Sequence, residues 1–303
     1  MDKRDFGKTG LKVTPVGFGA AELGNSIEDP DQATKLLHAV LDAGINVLDT
    51  AHCYHDSEVK IGNSVADRRD EYVLVTKCGH NRGELQSQEW SADIVTESVE
   101  KSLKRLATDH LDVVLLHSCD KEKLADGHML QALQKLKDAG KTRVIGYSGD
   151  GEDAEAAVEM DLFDSMETSV NVVDQQGIDR YLPVADGRGL GVLAKRPIAN
   201  GCWRGEEAFE GFYAEYVQPY LDRMREMGIS PGKVGFDGDW AEMALRFTLF
   251  QTGVSTAIVG STNPDHIRKD VEIAGKGPLP PEVVKAIRTL WKEHADGTWV
   301  GQT

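Results

Sequence analysis

Short apolar runs alternate with longer amphipathic segments along almost the whole chain. The runs fall at 16–20, 46–50, 72–77, 112–117, 143–148, 165–170, 191–195 and 257–260. Their length and their apolar, often β-branched content are those of buried strands. Between them apolar residues recur three and four apart: Leu36, Leu37, Val40 and Leu41; Val95, Val99, Leu103 and Leu106; Leu130, Leu133 and Leu136. Each set makes one stripe on a helix and predicts a helix lying stripe-down on the strands. Asp-Ala-Gly occurs at 42–44 and again at 138–140. Both times the glycine ends a helical pattern just before a strand, as a terminating residue of positive φ does.

Strands alternating with helices imply a parallel sheet, and eight such units in 303 residues fit an α/β fold of the closed (β/α)8 TIM barrel type. The main rival is an open doubly wound sheet, which would want Gly-x-Gly-x-x-Gly at the first helix. Gly17-Phe18-Gly19-Ala20-Ala21-Glu22 lacks the third glycine. Residues 4–13, RDFGKTGLKV, read as a β-hairpin turning at Lys8-Thr9-Gly10, suited to capping the bottom of the barrel. With no linker, low-complexity tract or second domain in view, residues 1–303 read as a single barrel domain. The stretch 200–239 is the one long connection, and its excess length marks a functional loop.

Composition narrows the partners. The net charge of −16 repels nucleic acid and anionic lipid. No apolar run approaches the ~20 residues that span a membrane. The opening MDKRDFGKTG lacks a signal-peptide core, so the cytoplasm is the expected location. Cys53, Cys78, Cys119 and Cys202 are scattered, unlike a disulfide framework, and read as thiols.

Barrel chemistry gathers at the C-terminal ends of the strands. In order, those ends carry Asp49, Lys77, His117, Ser148 and Glu167. Just beyond Asp49 the segment DTAHCYHDSE, residues 49–58, adds a phenol at Tyr54, two imidazoles and a thiol. A single such residue is usually a solvated or ion-paired group. An acid, a phenol, a lysine and a histidine together on one rim suggest proton transfer. Tyr54 is the only phenol in that segment, and a nearby cation such as Lys77 would lower its pKa from ~10. Asp49 can pair with Lys77, and His117 can orient a bound group by hydrogen bond.

Over nearly its whole length the chain resembles the aldo-keto reductase superfamily. Residues 49–58 look like that family's D-T-A-x-x-Y-x-x-S-E, Val75-Thr76-Lys77 like its lysine strand, and Leu115-Leu116-His117 like its histidine strand. Residues 7–13, 145–148 and 258–262 also match in order. The resemblance implies a (β/α)8 barrel that reduces a small-molecule carbonyl with NAD(P)H, with Asp49, Tyr54, Lys77 and His117 as catalytic residues. It places cofactor contacts at Gly19, Ala20, Asp49, Ser148, Glu167, Lys195, Arg196, Pro197, Gly260, Ser261, Thr262, His266 and Asp270. Ala21, Cys119 and Trp203 become substrate-lining candidates, Trp203 as a flat wall.

Several positions depart from the family pattern. Gly149 follows Ser148 where an Asn is usual, and Glu167 replaces a Gln, leaving an acceptor suited to a carboxamide NH2. Lys195 stands where an aromatic often stacks on the nicotinamide and cannot stack as a ring does, which implies an altered cofactor geometry; alternatively it or Arg196 would face the pyrophosphate or a substrate anion. The family favours NADPH over NADH, although Gly260, Thr262, Asn263 and His266 supply no cation for a 2′-phosphate; Ser261, Thr262 and Arg268 would have to serve. Two other readings use different chemistry. A metal-dependent barrel hydrolase could use His52, Cys53, His55, Cys78, His80, His117 and Cys119, but its first strand lacks the expected His-x-His. We therefore expect no metal, and read His52, Cys53 and His55 as bystanders. A non-catalytic nucleotide-binding barrel would have no need of the phenol. Substrate identity and oligomeric state leave no trace in the sequence.

Overall fold

A computed structural model describes residues 1–302. Its ten strands begin with a hairpin, β1 (Arg4–Asp5) and β2 (Lys12–Val13), paired antiparallel. Eight parallel strands follow: β3 (Val16–Gly19), β4 (Val47–Asp49), β5 (Val73–Cys78), β6 (Leu111–His117), β7 (Thr142–Ser148), β8 (Ser165–Ser169), β9 (Gly191–Lys195) and β10 (Thr256–Gly260). They close in chain order, with β10 pairing both β9 and β3. The predicted (β/α)8 barrel is the observed fold, and each predicted strand falls within a residue or two of its position.

The helices lie where the stripes put them. Pro30–Asp42, Ala92–Arg105 and His128–Asp138 bury Leu36, Leu37, Val40 and Leu41; Val95, Val99 and Leu103; and Leu130, Leu133 and Leu136. Gly44 and Gly140 hold φ of 82° and 74°, closing their helices as expected. Inside the barrel Val47, Val75, Val113, Leu115, Val144, Leu193 and Ile258 form one apolar plug. The hairpin caps the bottom by adding Phe6, Leu11 and Val13 to that plug. Lys8 N–H donates to the Gly189 carbonyl at 2.8 Å, and a Cβ on Gly191 would lie 2.6 Å from the Phe6 ring. A barrel sealed from below confines its chemistry to the upper rim.

The long connection is not an open loop. It contains the helix Phe212–Met227, which packs Val217, Tyr220 and Leu221 with Met243, Ala244 and Phe247 of Trp240–Leu249 and with Val283, Ile287 and Trp291 of Pro281–His294. This second apolar cluster sits beside the mouth and fixes one wall of it.

Candidate active site

The ends of β4, β5 and β6 deliver Asp49, Lys77 and His117 to one point. Tyr54 joins them from the loop after β4, which is folded by short-range bonds. Tyr54 N–H donates to the Ala51 carbonyl at 3.0 Å, and Ser57 N–H to the Tyr54 carbonyl at 2.9 Å. Ser57 Oγ lies 2.9 Å from Thr50 Oγ1 and donates to the Ala20 carbonyl at 2.8 Å. On the other side the short helix Ala21–Asn25 presses so closely that a Cβ on Gly24 would sit 2.3 Å from the Tyr54 carbonyl oxygen.

Lys77 is the hub. Its Nζ is 2.6 Å from Asp49 Oδ1, 3.2 Å from Glu167 Oε2 and 3.1 Å from the Thr50 carbonyl, which accepts from it. It lies 5.4 Å from the centre of the Tyr54 ring. His117 meets that ring edge-on at 5.8 Å and the His80 ring at 5.2 Å. The four expected catalytic residues therefore converge, and Glu167 joins them.

Burial, with Glu167 beside it, pushes Asp49 up to about 7 against the pull of Lys77. Burial also works against the Lys77 charge, but Asp49 and Glu167 more than offset it and hold the ammonium above the ordinary lysine range. Tyr54 runs opposite to the expected lowering. Burial raises the phenol, Lys77 pulls it back, and Asp49 and Glu167 oppose Lys77. A lysine shared by two carboxylates has less field to spare for the ring. His117 is held well below the usual histidine range by burial and then by Lys77 and His80, so its imidazole is neutral at pH 7.

His52 is buried, beside Glu58 at 3.9 Å and Arg105, and burial holds it down to about 4. His55 lines the cleft with φ of 45°. Cys53 Sγ lies 3.4 Å from His117 Nδ1, and burial raises its thiol. Among the described residues, no three His, Cys, Asp or Glu side chains are grouped to hold a metal ion, and none of the helices is long and apolar enough to cross a membrane.

A cleft of ≈ 2190 Å³ rises from this point, lined by Gly19, Ala21, Asp49, Tyr54, His117, Glu167, Lys195, Arg196, Pro197, Trp203, Gly260, Ser261, Thr262, His266 and Asp270. Four expected residues lie outside that wall, the first of them Lys77, buried beneath Tyr54. Ala20 is fully buried below the rim, its N–H given to the Asp49 carbonyl and its own carbonyl accepting from Ser57. Ser148 is buried at the end of β7. Cys119 is buried outside the cleft, its carbonyl accepting from Tyr147 Oη at 2.8 Å, and so does not line it. Trp203 does line it, stacked parallel on Trp240 at 5.6 Å. Lys269 lines the cleft too, so Trp203 faces a space shared with the 260–270 segment.

Lys195 and Arg196 turn toward protein carboxylates and hydroxyls. Lys195 Nζ is 2.9 Å from Asp150 Oδ2, which also meets Ser169 Oγ at 3.1 Å. Arg196 donates to Ser169 Oγ and to the Gln302 carbonyl, each at 2.6 Å, and to Tyr216 Oη at 2.5 Å. Asp150, Tyr216 and the 300–302 tail escaped the sequence reading. Asp150 alone had a signal, two residues past the end of β7. Arg268, proposed for a phosphate, is paired with Asp265, and Lys269 with Asp239 at 2.6 Å.

Close to this point two buried side-chain oxygens make no hydrogen bond, Ser148 Oγ and Glu167 Oε2, the latter still ion-paired with Lys77. Their residues are paired in register on β7 and β8. A hydroxyl beside a carboxylate fits a carboxamide, which needs a donor for its oxygen and an acceptor for its NH2. Pro264 opens the helix Pro264–Gly275, capped by Asn263, at the far end of the cleft. A helix N-terminus there suits a phosphate.

The chain is similar to known proteins over nearly its whole length. A family model described as the Aldo/keto reductase family matches residues 15–292. The uncharacterized oxidoreductase YqkF of Bacillus subtilis is 28% identical, over 97% of this chain and 97% of that one. The L-galactose dehydrogenase of Arabidopsis thaliana is 29% identical, over 99% and 97%. Among solved structures, the holo form of aldo-keto reductase AKR11C1 from Bacillus halodurans superposes with a TM-score of 0.81 at 27% identity, covering 96% of each chain.

Proposed function

The chain belongs to the aldo/keto reductase family, and from that premise we propose that it reduces an aldehyde or ketone to the alcohol, or runs the reverse, with Tyr54 exchanging the proton. As a family member it is an NAD(P)-dependent oxidoreductase of small carbonyl compounds. The observation that carries the proton-transfer reading is the convergence of a fully buried Lys77 ammonium under the Tyr54 ring with a neutral His117 at its edge.

The dinucleotide supplies the hydride. Ser148 and Glu167 would hold its carboxamide and the 260–266 segment its adenosine phosphate. Tyr54 holds its proton firmly in the resting site and releases it only as negative charge builds on the carbonyl oxygen. Lys77 then stabilises the phenolate left behind. Asp49 keeps Lys77 in place, and neutral His117 donates a hydrogen bond that fixes the carbonyl. At the adenosine end, the pairing of Arg268 and Lys269 with carboxylates favours NADH over NADPH.

Tyr54→Phe is the test, assayed on a panel of aldehydes and ketones with each dinucleotide. We expect kcat to fall by about 100-fold or more while dinucleotide affinity stays near normal. Undiminished turnover in the variant would remove Tyr54 from the chemistry. The same panel on the parent enzyme reads the NADH to NADPH ratio of kcat/KM, expected above one.

A further inference from the structure

Glu167 is the feature that the reductase reading absorbs least. A carboxamide contact needs only an acceptor, which a neutral amide side chain provides equally well. Here the acceptor is ionisable, buried, and on the same ammonium as Asp49. Asp49 Oδ1 and Glu167 Oε2 approach Lys77 Nζ at 2.6 and 3.2 Å, from β4 and β8 on opposite sides of the barrel mouth. The two carboxyls are within hydrogen-bonding reach of each other. Two carboxylates against one cation, with all three side chains at most 5% exposed, leave an uncompensated negative charge in a buried site. A proton shared between the carboxyls removes it.

The surroundings do not supply another counter-ion. Lys195 on β9 is the nearest further cation and is committed to Asp150 at 2.9 Å. Arg196 is committed to Ser169, Tyr216 and Gln302. From β6 His117 is neutral, Tyr54 faces the group from the loop after β4, and Ser148 on β7 offers a hydroxyl only. We propose that the Asp49 carboxyl, set against Glu167 across Lys77, carries an exchangeable proton that it shares by hydrogen bond with Glu167, and that its loss from Asp49 frees Glu167 to grip the nicotinamide carboxamide. This rests on the reductase reading above. Burial and mutual repulsion, which push Asp49 up to about 7, put the exchange in the neutral range. Glu167 acts as a positioning residue for Lys77 and as a direct contact of the cofactor.

The sign follows from the linkage. If binding favours the ionised pair, affinity for a nicotinamide dinucleotide weakens as pH falls below neutrality. Asp270, also pushed up to about 7 by burial, sits at the adenosine end and would add a pH dependence of its own. ADP-ribose, which lacks the nicotinamide, isolates that contribution. The experiment is therefore to titrate NADH and ADP-ribose by calorimetry and tryptophan fluorescence on the parent, Glu167→Gln and Glu167→Asp proteins, from about pH 8.5 to about pH 5.5.

In the parent, the affinity of NADH relative to ADP-ribose should fall about 5- to 10-fold across that range, with about one proton released on binding at the low end. Glu167→Gln should flatten the ratio while keeping NADH affinity, and Glu167→Asp should restore the slope. A purely structural role would weaken binding equally at every pH. A flat ratio in the parent, or a parental slope in Glu167→Gln, overturns the proposal while leaving the reductase reading standing. Failure of the parent to bind either NADH or NADPH at any pH overturns both.

Discussion

Cys53 and His117 are 64 residues apart, and no local motif links them, yet their side chains meet at 3.4 Å. Burial keeps the thiol protonated, so Sγ–H is available to donate to Nδ1. With the thiol as donor, the ring proton sits on Nε2 and can point into the cleft. Replacing Cys53 by Ala should let the tautomer drift and lower kcat about 3- to 10-fold, with KM little changed. Cys53→Ser, which keeps a donor, should recover most of the rate. An alanine variant with full kcat would reduce Cys53 to packing. At this scale the sequence reveals identities better than partners. Asp49, Tyr54, Lys77 and His117 were legible because strand ends and a motif carry them. The Glu167 contact with Lys77 was not, because it crosses the barrel mouth from β8 to β5, a distance set by closure and not by spacing.

Elements explain why the mouth has its shape. The strands were readable from their runs, and the first helices from their stripes, because burial on one face imposes a period. The helix Phe212–Met227 was read as loop, although Val217, Tyr220 and Leu221 lie at helical spacing, since Pro219 interrupts the pattern. The short helix Ala21–Asn25 offered too few residues for any period. Its glycine nevertheless matters, as the 2.3 Å approach of a Gly24 Cβ to the Tyr54 carbonyl is too close to absorb. Gly24→Ala should therefore force the helix and the Tyr54 loop apart, costing about 1–3 kcal/mol of stability. The loss of kcat should exceed what that cost implies, because the displaced loop carries the proton donor. Thermal melting and kcat measured together check this, and a variant that melts early yet turns over normally would show that the strain relaxes away from Tyr54.

For the whole molecule, stability against pH reflects opposing buried groups. Asp49, Asp174 and Asp270 are each pushed up to about 7, chiefly by burial. A carboxyl raised in the folded state contributes stability that is present below its unfolded value and lost as pH rises through about 7. His52, held down to about 4, and His117, well below its usual range, have the opposite sign. Their contribution is full above the unfolded value near 6.5 and is lost as pH falls. From about pH 7.5 to 5.5 the three carboxyls gain throughout, whereas the two histidines lose only over the lower part. The net charge of −16 also shrinks toward the pI near 5.0, relieving self-repulsion in the same direction. The melting temperature at about pH 5.5 should thus equal or exceed that at about pH 7.5, and fall only below about pH 4, where surface carboxylates such as Asp120 lose their partners. A drop of more than about 5 °C between pH 7.5 and 5.5 would mean that the histidines outweigh the carboxyls.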